Sequence, residues 1–115
     1  SNEFKMENKK EKDTEKINEI KDLKISIRNL KEDDIKNRNL PKDITGVVVT
    51  EIQQDSLLLS VSANDIIVEV QKKKVTSAKQ FSNIIKDIIN KDTKTLYLAI
   101  YNSSNQRSYL TVKLK

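Results

Sequence analysis

Apolar residues recur along the chain in two patterns, the first from residue 23 and the second from residue 46. In the first, Leu23, Ile25 and Ile27 alternate with polar neighbours, and a period of two indicates a half-buried strand. In the second, β-branched and aromatic residues run together, which is typical of strands with little exposed surface. Such runs predict strands over residues 46–52, 65–71, 94–101 and 106–114, of which the last two predict a hairpin.

A capping motif predicts the start of the longest helix. Ser77 is followed three residues later by Gln80, a pair in which each side chain bonds the backbone of the other residue. Behind this motif, residues spaced at i, i+3, i+4 and i+7 give one apolar face: Phe81, Ile84, Ile85 and Ile88. We expect a helix over residues 78–89 that ends at Asn90, a residue type that tolerates the left-handed conformation. A shorter helix is expected over residues 31–38.

Residues 1–22 differ in composition from the rest of the chain. They carry six Lys against seven acidic residues, and their large apolar side chains are few: Phe4, Met6, Ile17 and Ile20. Such a segment buries too little apolar surface to fold alone. We therefore predict a mobile, charged arm or linker over residues 1–22, helical at most toward Ile20, and one domain over residues 23–115.

The composition excludes several classes of active site. The chain has no His and no Cys, which rules out a Ser-His-Asp triad, a Cys nucleophile and a Cys/His zinc site. No motif indicates a cofactor or a metal. No apolar run approaches the ~20 residues that a membrane span needs. Residues 23–115 have a net charge of +6, which suits nucleic acid or anionic lipid, but the five aromatic residues are not interleaved with the basic ones as base stacking requires.

An ordered set of segments resembles a PDZ domain. The set consists of residues 23–30 (LKISIRNL), Leu40-Pro41 with residues 46–52 (GVVVTEI), Ser56, residues 65–70 (DIIVEV), and residues 75–77 with Phe81. More narrowly, the chain is similar to the C-terminal PDZ domain of Do-like (HtrA/Deg) serine proteases over about residues 23–115. The resemblance implies an α+β fold: a five- or six-stranded antiparallel, partly open barrel or sandwich capped by one long and one short helix.

The resemblance also implies a peptide-binding groove. In PDZ domains an extended peptide adds to the edge of the sheet by β-augmentation, and its C-terminal carboxylate lies in a loop before the groove strand. Carried over, residues 25–29 form the groove strand and helix 78–89 forms the facing wall. The predicted peptide-binding residues, which include a carboxylate loop at residues 23–25, are Leu23, Lys24, Ile25, Ser26, Ile27, Arg28, Asn29, Ala78, Ser82 and Ile85.

Several positions depart from the family's pattern. Lys24 stands where the family has the glycine of the carboxylate loop, and a left-handed Lys costs about 1 kcal/mol or more, although its ammonium can pair with a carboxylate. Ser60 and Asn64 stand where two more glycines are usual, and Asn tolerates a positive φ better than most residues. Just before them, the LLL run at 57–59 is either a docking patch or plain core, and we expect a short helical turn that buries two of the three.

The resemblance implies a regulatory peptide-binding module of a trypsin-like serine protease. The protease domain, with its triad, would lie upstream, and the parent would be a periplasmic serine endopeptidase active in protein quality control. The implied partners are peptide or unfolded-protein segments, the upstream protease domain and other subunits, with no nucleic acid and no membrane span. Two alternatives stay open: a domain used mainly for contacts between subunits of the oligomer, and a basic surface that binds nucleic acid or anionic lipid.

We predict that this chain by itself hydrolyses neither casein nor synthetic peptides, because a serine nucleophile has no His to act as its base. The measurement is a cleavage assay on the purified protein, with protease inhibitors as the control for contaminants. Cleavage that survives repeated purification would contradict the assignment of this chain as a non-enzyme.

Overall fold

The computed structural model describes residues 16–114. This part of the chain contains seven strands and two helices. In chain order they are β1 (Asn18–Ile20), β2 (Ile25–Asn29), α1 (Glu32–Arg38), β3 (Val47–Ile52), β4 (Ile66–Val70), β5 (Lys73–Lys74), α2 (Ala78–Asn90), β6 (Thr95–Tyr101) and β7 (Arg107–Lys113). No helix in this part of the chain is long and apolar enough to cross a membrane.

The strands form one antiparallel sheet with the order β1-β2-β3-β4-β6-β7, and β5 pairs with β4. The two end strands do not pair with each other within residues 16–114, so the sheet is open. The predicted α+β fold, with an antiparallel sheet and one long and one short helix, is confirmed. The sheet has more strands than the expected five or six because β1 and β5, each of two or three residues, also pair.

Both faces of the sheet are covered, and the alternation of side chains decides which cluster each residue joins. Val47 and Val49 of β3 point into the main core beside α2, whereas Val48 between them belongs to a second cluster on the opposite face. Ile35 of α1 packs against that second cluster. A strand that is covered on both faces needs apolar residues at every position, which explains the continuous β-branched run in β3.

The start of α2 follows its predicted capping motif in the bond to Ser77, whereas the Gln80 side chain binds the backbone of Thr76 rather than that of Ser77. The Ser77 hydroxyl accepts a hydrogen bond from the Gln80 backbone N–H at 3.1 Å, and the Gln80 side chain accepts one from the Thr76 N–H at 2.6 Å. The buried residues of the helix are Ala78, Phe81, Ile85 and Ile88. The predicted left-handed stop at Asn90 is wrong: Asn90 is the last helical residue, and Asp92 has the positive φ of 60°. Carbonyl groups of the last helical turn still accept hydrogen bonds from backbone N–H groups beyond Asn90, so the left-handed residue comes two positions later, at Asp92.

Gly46 is required by a close approach between two backbones. It precedes β3, beside β4, and a Cβ atom at this position would lie 2.5 Å from the carbonyl oxygen of Ile67. A side chain cannot come that close to a backbone oxygen that is held in a sheet. Gly46 is the single glycine of the chain, and this close approach accounts for it.

The LLL run at 57–59 does not form the expected helical turn. Only Leu58 is buried, while Leu57 is 47% exposed and Leu59 is 84% exposed. The cause is a local hydrogen bond, because the Ser56 hydroxyl accepts the Leu58 backbone N–H at 3.1 Å and donates to the Leu23 carbonyl at 2.6 Å. This pair of bonds fixes an irregular loop in which Leu58 points inward and its neighbours point outward.

The end of the predicted arm belongs to the sheet. Residues 18–20, which the composition assigned to a mobile or helical segment, form β1 and pair with β2. The Ile20 side chain is only 4% exposed and joins the main core. Burial of one aliphatic side chain, together with backbone pairing, orders a segment that is otherwise polar. Residues 1–15, the rest of the predicted arm, lie outside the described residues.

We predict that Phe81→Ala lowers the free energy of unfolding by about 3–5 kcal/mol, because Phe81 is fully buried at the centre of the apolar face of α2. The measurement is urea unfolding followed by circular dichroism. Ile89→Ala is the matched control on the same helix: Ile89 is 37% exposed, so we expect a change below about 1 kcal/mol. Equal unfolding midpoints for the two variants would contradict the assignment of the buried face.

Candidate functional site

The predicted groove strand and the predicted helical wall lie side by side, and β1 lies along the edge between them. One edge of β2 pairs with β3, the other edge pairs with β1, and α2 contacts both β1 and β2. At one end the Asn29 side-chain oxygen accepts a hydrogen bond from the Ala78 backbone N–H at 2.7 Å, which ties β2 to the first turn of α2. The site is therefore a groove between β2 and α2 that already holds an extended segment of the same chain.

The register of β1 places its residues opposite the predicted groove residues. Ile20 lies opposite Ile25, Glu19 opposite Ser26, and Asn18 opposite Ile27. Residues that face each other in an antiparallel pair point to the same side of the sheet. The Ile20 side chain accordingly lies in the main core with Ile25 and Ile27, in the same cluster as Ile85 of α2.

The loop between β1 and β2 is the predicted carboxylate loop, and its backbone donors are in use. The Leu23 N–H donates to the Ile20 carbonyl at 3.1 Å, and the Lys24 N–H donates to the Lys21 carbonyl at 3.2 Å. Lys24 has the left-handed conformation, with φ 57°, which a glycine adopts without strain. The Lys24 carbonyl in turn accepts the Gln53 N–H at 2.9 Å.

The Lys24 ammonium forms an ion pair with Asp55 across the loop. A hydrogen bond from Lys24 holds the pKa of the Asp55 carboxyl below its usual value. Both side chains are well exposed, so water screens this pair and an incoming carboxylate can compete for the ammonium. The sequence indicated the pairing capacity of Lys24 but gave no signal for Asp55 as its partner.

Arg28 is directed away from the groove. It belongs to the groove strand, yet its guanidinium donates two hydrogen bonds, of 2.8 and 2.9 Å, to the two carboxylate oxygens of Asp34 in α1. Asp34 also accepts the Lys31 backbone N–H at 2.8 Å, so one carboxylate both caps α1 and binds β2. The hydrogen bond from Arg28 lowers the pKa of Asp34, and the same bond raises the pKa of Arg28.

The predicted site residues fall into three groups by their exposure. Five of them are buried: Leu23, Ile25, Ile27, Ala78 and Ile85. Those that are partly exposed are Ser26, Arg28, Asn29 and Ser82, and the Lys24 side chain is exposed. Sequence reasoning missed Asn18 and Ile20, although the isolated Ile20 at the end of a polar segment was the available signal.

An open cleft of about 620 Å³ lies beside Asn18, at the end of the groove where α2 begins. Asn29 and Ser82 border it, together with three lysines and no acidic residue: Lys16, Lys79 and Lys86. This end of the groove is therefore electropositive. As for metals, residues 16–114 contain no group of three or more acidic side chains placed to hold an ion.

The chain is similar to two solved structures of HtrA proteins. The HtrA-type protease AlgW with decapeptide aligns with a TM-score of 0.61 and 16% identity, over 79% of this chain and 27% of the AlgW chain. The HtrA3 PDZ domain bound to a phage-derived ligand (FGRWV) aligns with a TM-score of 0.55 and 16% identity, over 79% of each chain. The chain therefore has the PDZ fold that its sequence predicted, and it spans about a quarter of AlgW. No protein-family model and no curated protein matches the sequence.

We predict that Asp34→Asn lowers the free energy of unfolding by about 1 kcal/mol near pH 7, because the variant loses the charge that binds Arg28 and caps α1. The folded pKa of Asp34 lies below its ordinary value of 3.8, so the stabilisation is full above pH 3.8 and is lost as the pH falls through the folded pKa. Urea unfolding of both proteins at about pH 7 and about pH 2 tests this.

The matched control is Asp33→Asn, which removes the same charge from the same turn of α1 without changing the partner of Arg28. We expect a smaller loss for the control at neutral pH. A difference between Asp34→Asn and the parent protein that is the same at both pH values would show that the carboxylate charge does not carry the interaction.

Proposed function

We propose that this domain is a peptide-binding module of a Do-like, trypsin-like serine protease, and that it recognises C-terminal or extended hydrophobic segments by antiparallel addition to β2. The single observation that carries the proposal is the occupant of the groove. β1 pairs with β2 as an added strand and inserts the Ile20 side chain beside Ile25. The groove thus accommodates an extended backbone with an aliphatic side chain, which is the ligand that β-augmentation requires.

The backbone donors of the loop suit a free C-terminus. The Leu23 N–H already binds a carbonyl oxygen, that of Ile20, at the place where the last residue of a peptide would pair with Ile25. A carboxylate at this place accepts the same hydrogen bond with a charge, and charge-assisted hydrogen bonds are roughly twice as strong as neutral ones. The Lys24 ammonium is close in sequence and exposed, so it adds favourable charge.

The similar solved structures support the same function. AlgW was solved with a decapeptide, and the HtrA3 PDZ domain was solved with a phage-derived ligand. We extend the proposal to the whole protein: a periplasmic serine endopeptidase whose protease domain precedes this module, with unfolded-protein segments as ligands that regulate cleavage. The predicted contact residues, from Leu23 to Asn29 together with Ala78, Ser82 and Ile85, belong to this proposal, except that the Arg28 guanidinium acts on α1.

We predict that peptides ending in an aliphatic residue bind with a Kd on the order of 10–100 μM, where each decade is about 1.4 kcal/mol. Titration of isotope-labelled protein, followed by NMR, should shift the amides of β2 and α2. Lys24→Glu should weaken binding at least about fivefold, because it replaces an attractive charge near the peptide carboxylate with a repulsive one.

The matched control is Lys113→Glu in β7, at the opposite end of the sheet from β1, which makes the same charge change and should leave the Kd unchanged. Shifts confined to β7, the edge strand at the other end of the sheet, would contradict the proposed groove. So would the absence of any shift at millimolar peptide.

A further inference from the structure

The strand that occupies the groove, β1, has only one buried side chain. Ile20 is 4% exposed, whereas Ile17, just before the strand, is 59% exposed. Glu19 points outward and makes one long side-chain hydrogen bond, 3.4 Å from the Gln53 amide nitrogen. A segment of three residues with a single buried side chain has few interactions to lose when it leaves the sheet.

The same strand makes the contacts that the proposed function assigns to a bound C-terminal peptide. Its backbone runs antiparallel to β2, Ile20 inserts opposite the first residue of the groove strand, and the Ile20 carbonyl accepts the Leu23 N–H of the carboxylate loop. A peptide whose last residue takes the place of Ile20 would need the same edge of β2, the same apolar position and the same donor. Two chains cannot use one strand edge together.

We infer that β1 is a built-in ligand that closes the peptide groove, and that an external peptide binds by replacing β1 in the same register. This inference rests on the proposed function. The ligand it defines is an extended peptide with a free carboxylate on a terminal aliphatic residue, which takes the place of Ile20. Two residues earlier the ligand carries a polar or acidic residue at the position of Asn18, because Lys79 and Lys86 border the cleft there.

Because β1 competes for the groove, the intact chain binds an external peptide more weakly than a chain with an open groove would. A peptide binds only the fraction of molecules in which β1 has left the groove, so the observed Kd is the intrinsic Kd divided by that fraction. Weakening β1 must then strengthen peptide binding, and locking β1 must abolish it. A strand that is merely a permanent part of the sheet gives neither result.

The first experiment locks the strand with a disulfide. Glu19 and Ser26 lie directly opposite each other on adjacent strands, a distance that a disulfide can span, and the chain has no cysteine of its own. In the double variant Glu19→Cys/Ser26→Cys, the reduced and oxidised forms are one protein with a free or a tethered β1. The probe is a fluorescein-labelled peptide with the sequence of residues 14–20 and a free C-terminus, Thr-Glu-Lys-Ile-Asn-Glu-Ile.

We expect the reduced form to bind the probe and the oxidised form to bind it at least tenfold more weakly, measured by fluorescence anisotropy. Mass spectrometry verifies the disulfide. A second pair of variants releases the strand: Ile20→Ser removes its anchor, and Ile17→Ser makes the same change at an exposed position of the same segment. Ile20→Ser should bind the probe about tenfold more tightly than the parent chain, and Ile17→Ser should equal the parent.

The outcomes distinguish failure of the inference about β1 from failure of the proposed peptide-binding function. Equal binding by the oxidised and reduced forms overturns the inference, because it shows a peptide site that β1 does not block, and it leaves the proposed function standing. The inference and the proposed function are both overturned if neither the reduced form nor Ile20→Ser binds the probe or any other peptide with an aliphatic C-terminus. If Ile20→Ser does not fold, as judged by circular dichroism, the comparison of oxidised and reduced forms decides alone.

Discussion

The outer edge of β2 is the constraint on which the rest of the structure depends. β2 lies next to the main core, with Ile25 and Ile27 fully buried, so the backbone groups along its free edge cannot all be left without partners. β1 satisfies that edge opposite Ile25 to Ile27, and beyond it the Asn29 side chain binds the first turn of α2. The turn before β2, the burial of Ile20 and the bond from β2 to α2 are all parts of how this one edge is completed.

The predicted carboxylate loop contains a strained backbone position that is not a glycine. Lys24 is left-handed, at a cost of about 1 kcal/mol, and the residues around Ser56 brace it. The Gln53 N–H binds the Lys24 carbonyl, the Ser56 hydroxyl binds the Leu23 carbonyl, and Asp55 pairs with the ammonium. The Ser56 hydroxyl also binds the Leu58 N–H, and the loop that follows leaves Leu59 exposed. The conformation of the loop before β2 and the exposure of Leu59 are therefore linked through Ser56.

Regular periodicity made most of this fold predictable from the sequence. Two of the signals are local. The period-two pattern of β2 corresponds to alternate burial of its side chains, and the Ser77–Gln80 motif corresponds to a hydrogen bond between these residues. The parts that escaped prediction depend on residues distant in the sequence. β1 forms because it pairs with the edge of β2. The exposure of Leu59 depends on the hydrogen bond from Ser56 to the Leu23 carbonyl. Arg28 points away from the groove because it binds Asp34 of α1. No periodicity records such contacts.

A tethered occupant competes more strongly than its few contacts suggest. β1 reaches the groove through a turn of four residues, and a short flexible tether gives an effective concentration on the order of millimolar. If the segment binds its own groove as weakly as a peptide with an intrinsic Kd near 100 μM, the closed form exceeds the open form about tenfold. A weak strand is therefore enough to keep the groove closed, and it is also weak enough for a concentrated or slightly better ligand to displace it. The polar composition of β1, with one aliphatic anchor, is the composition that such a balance requires.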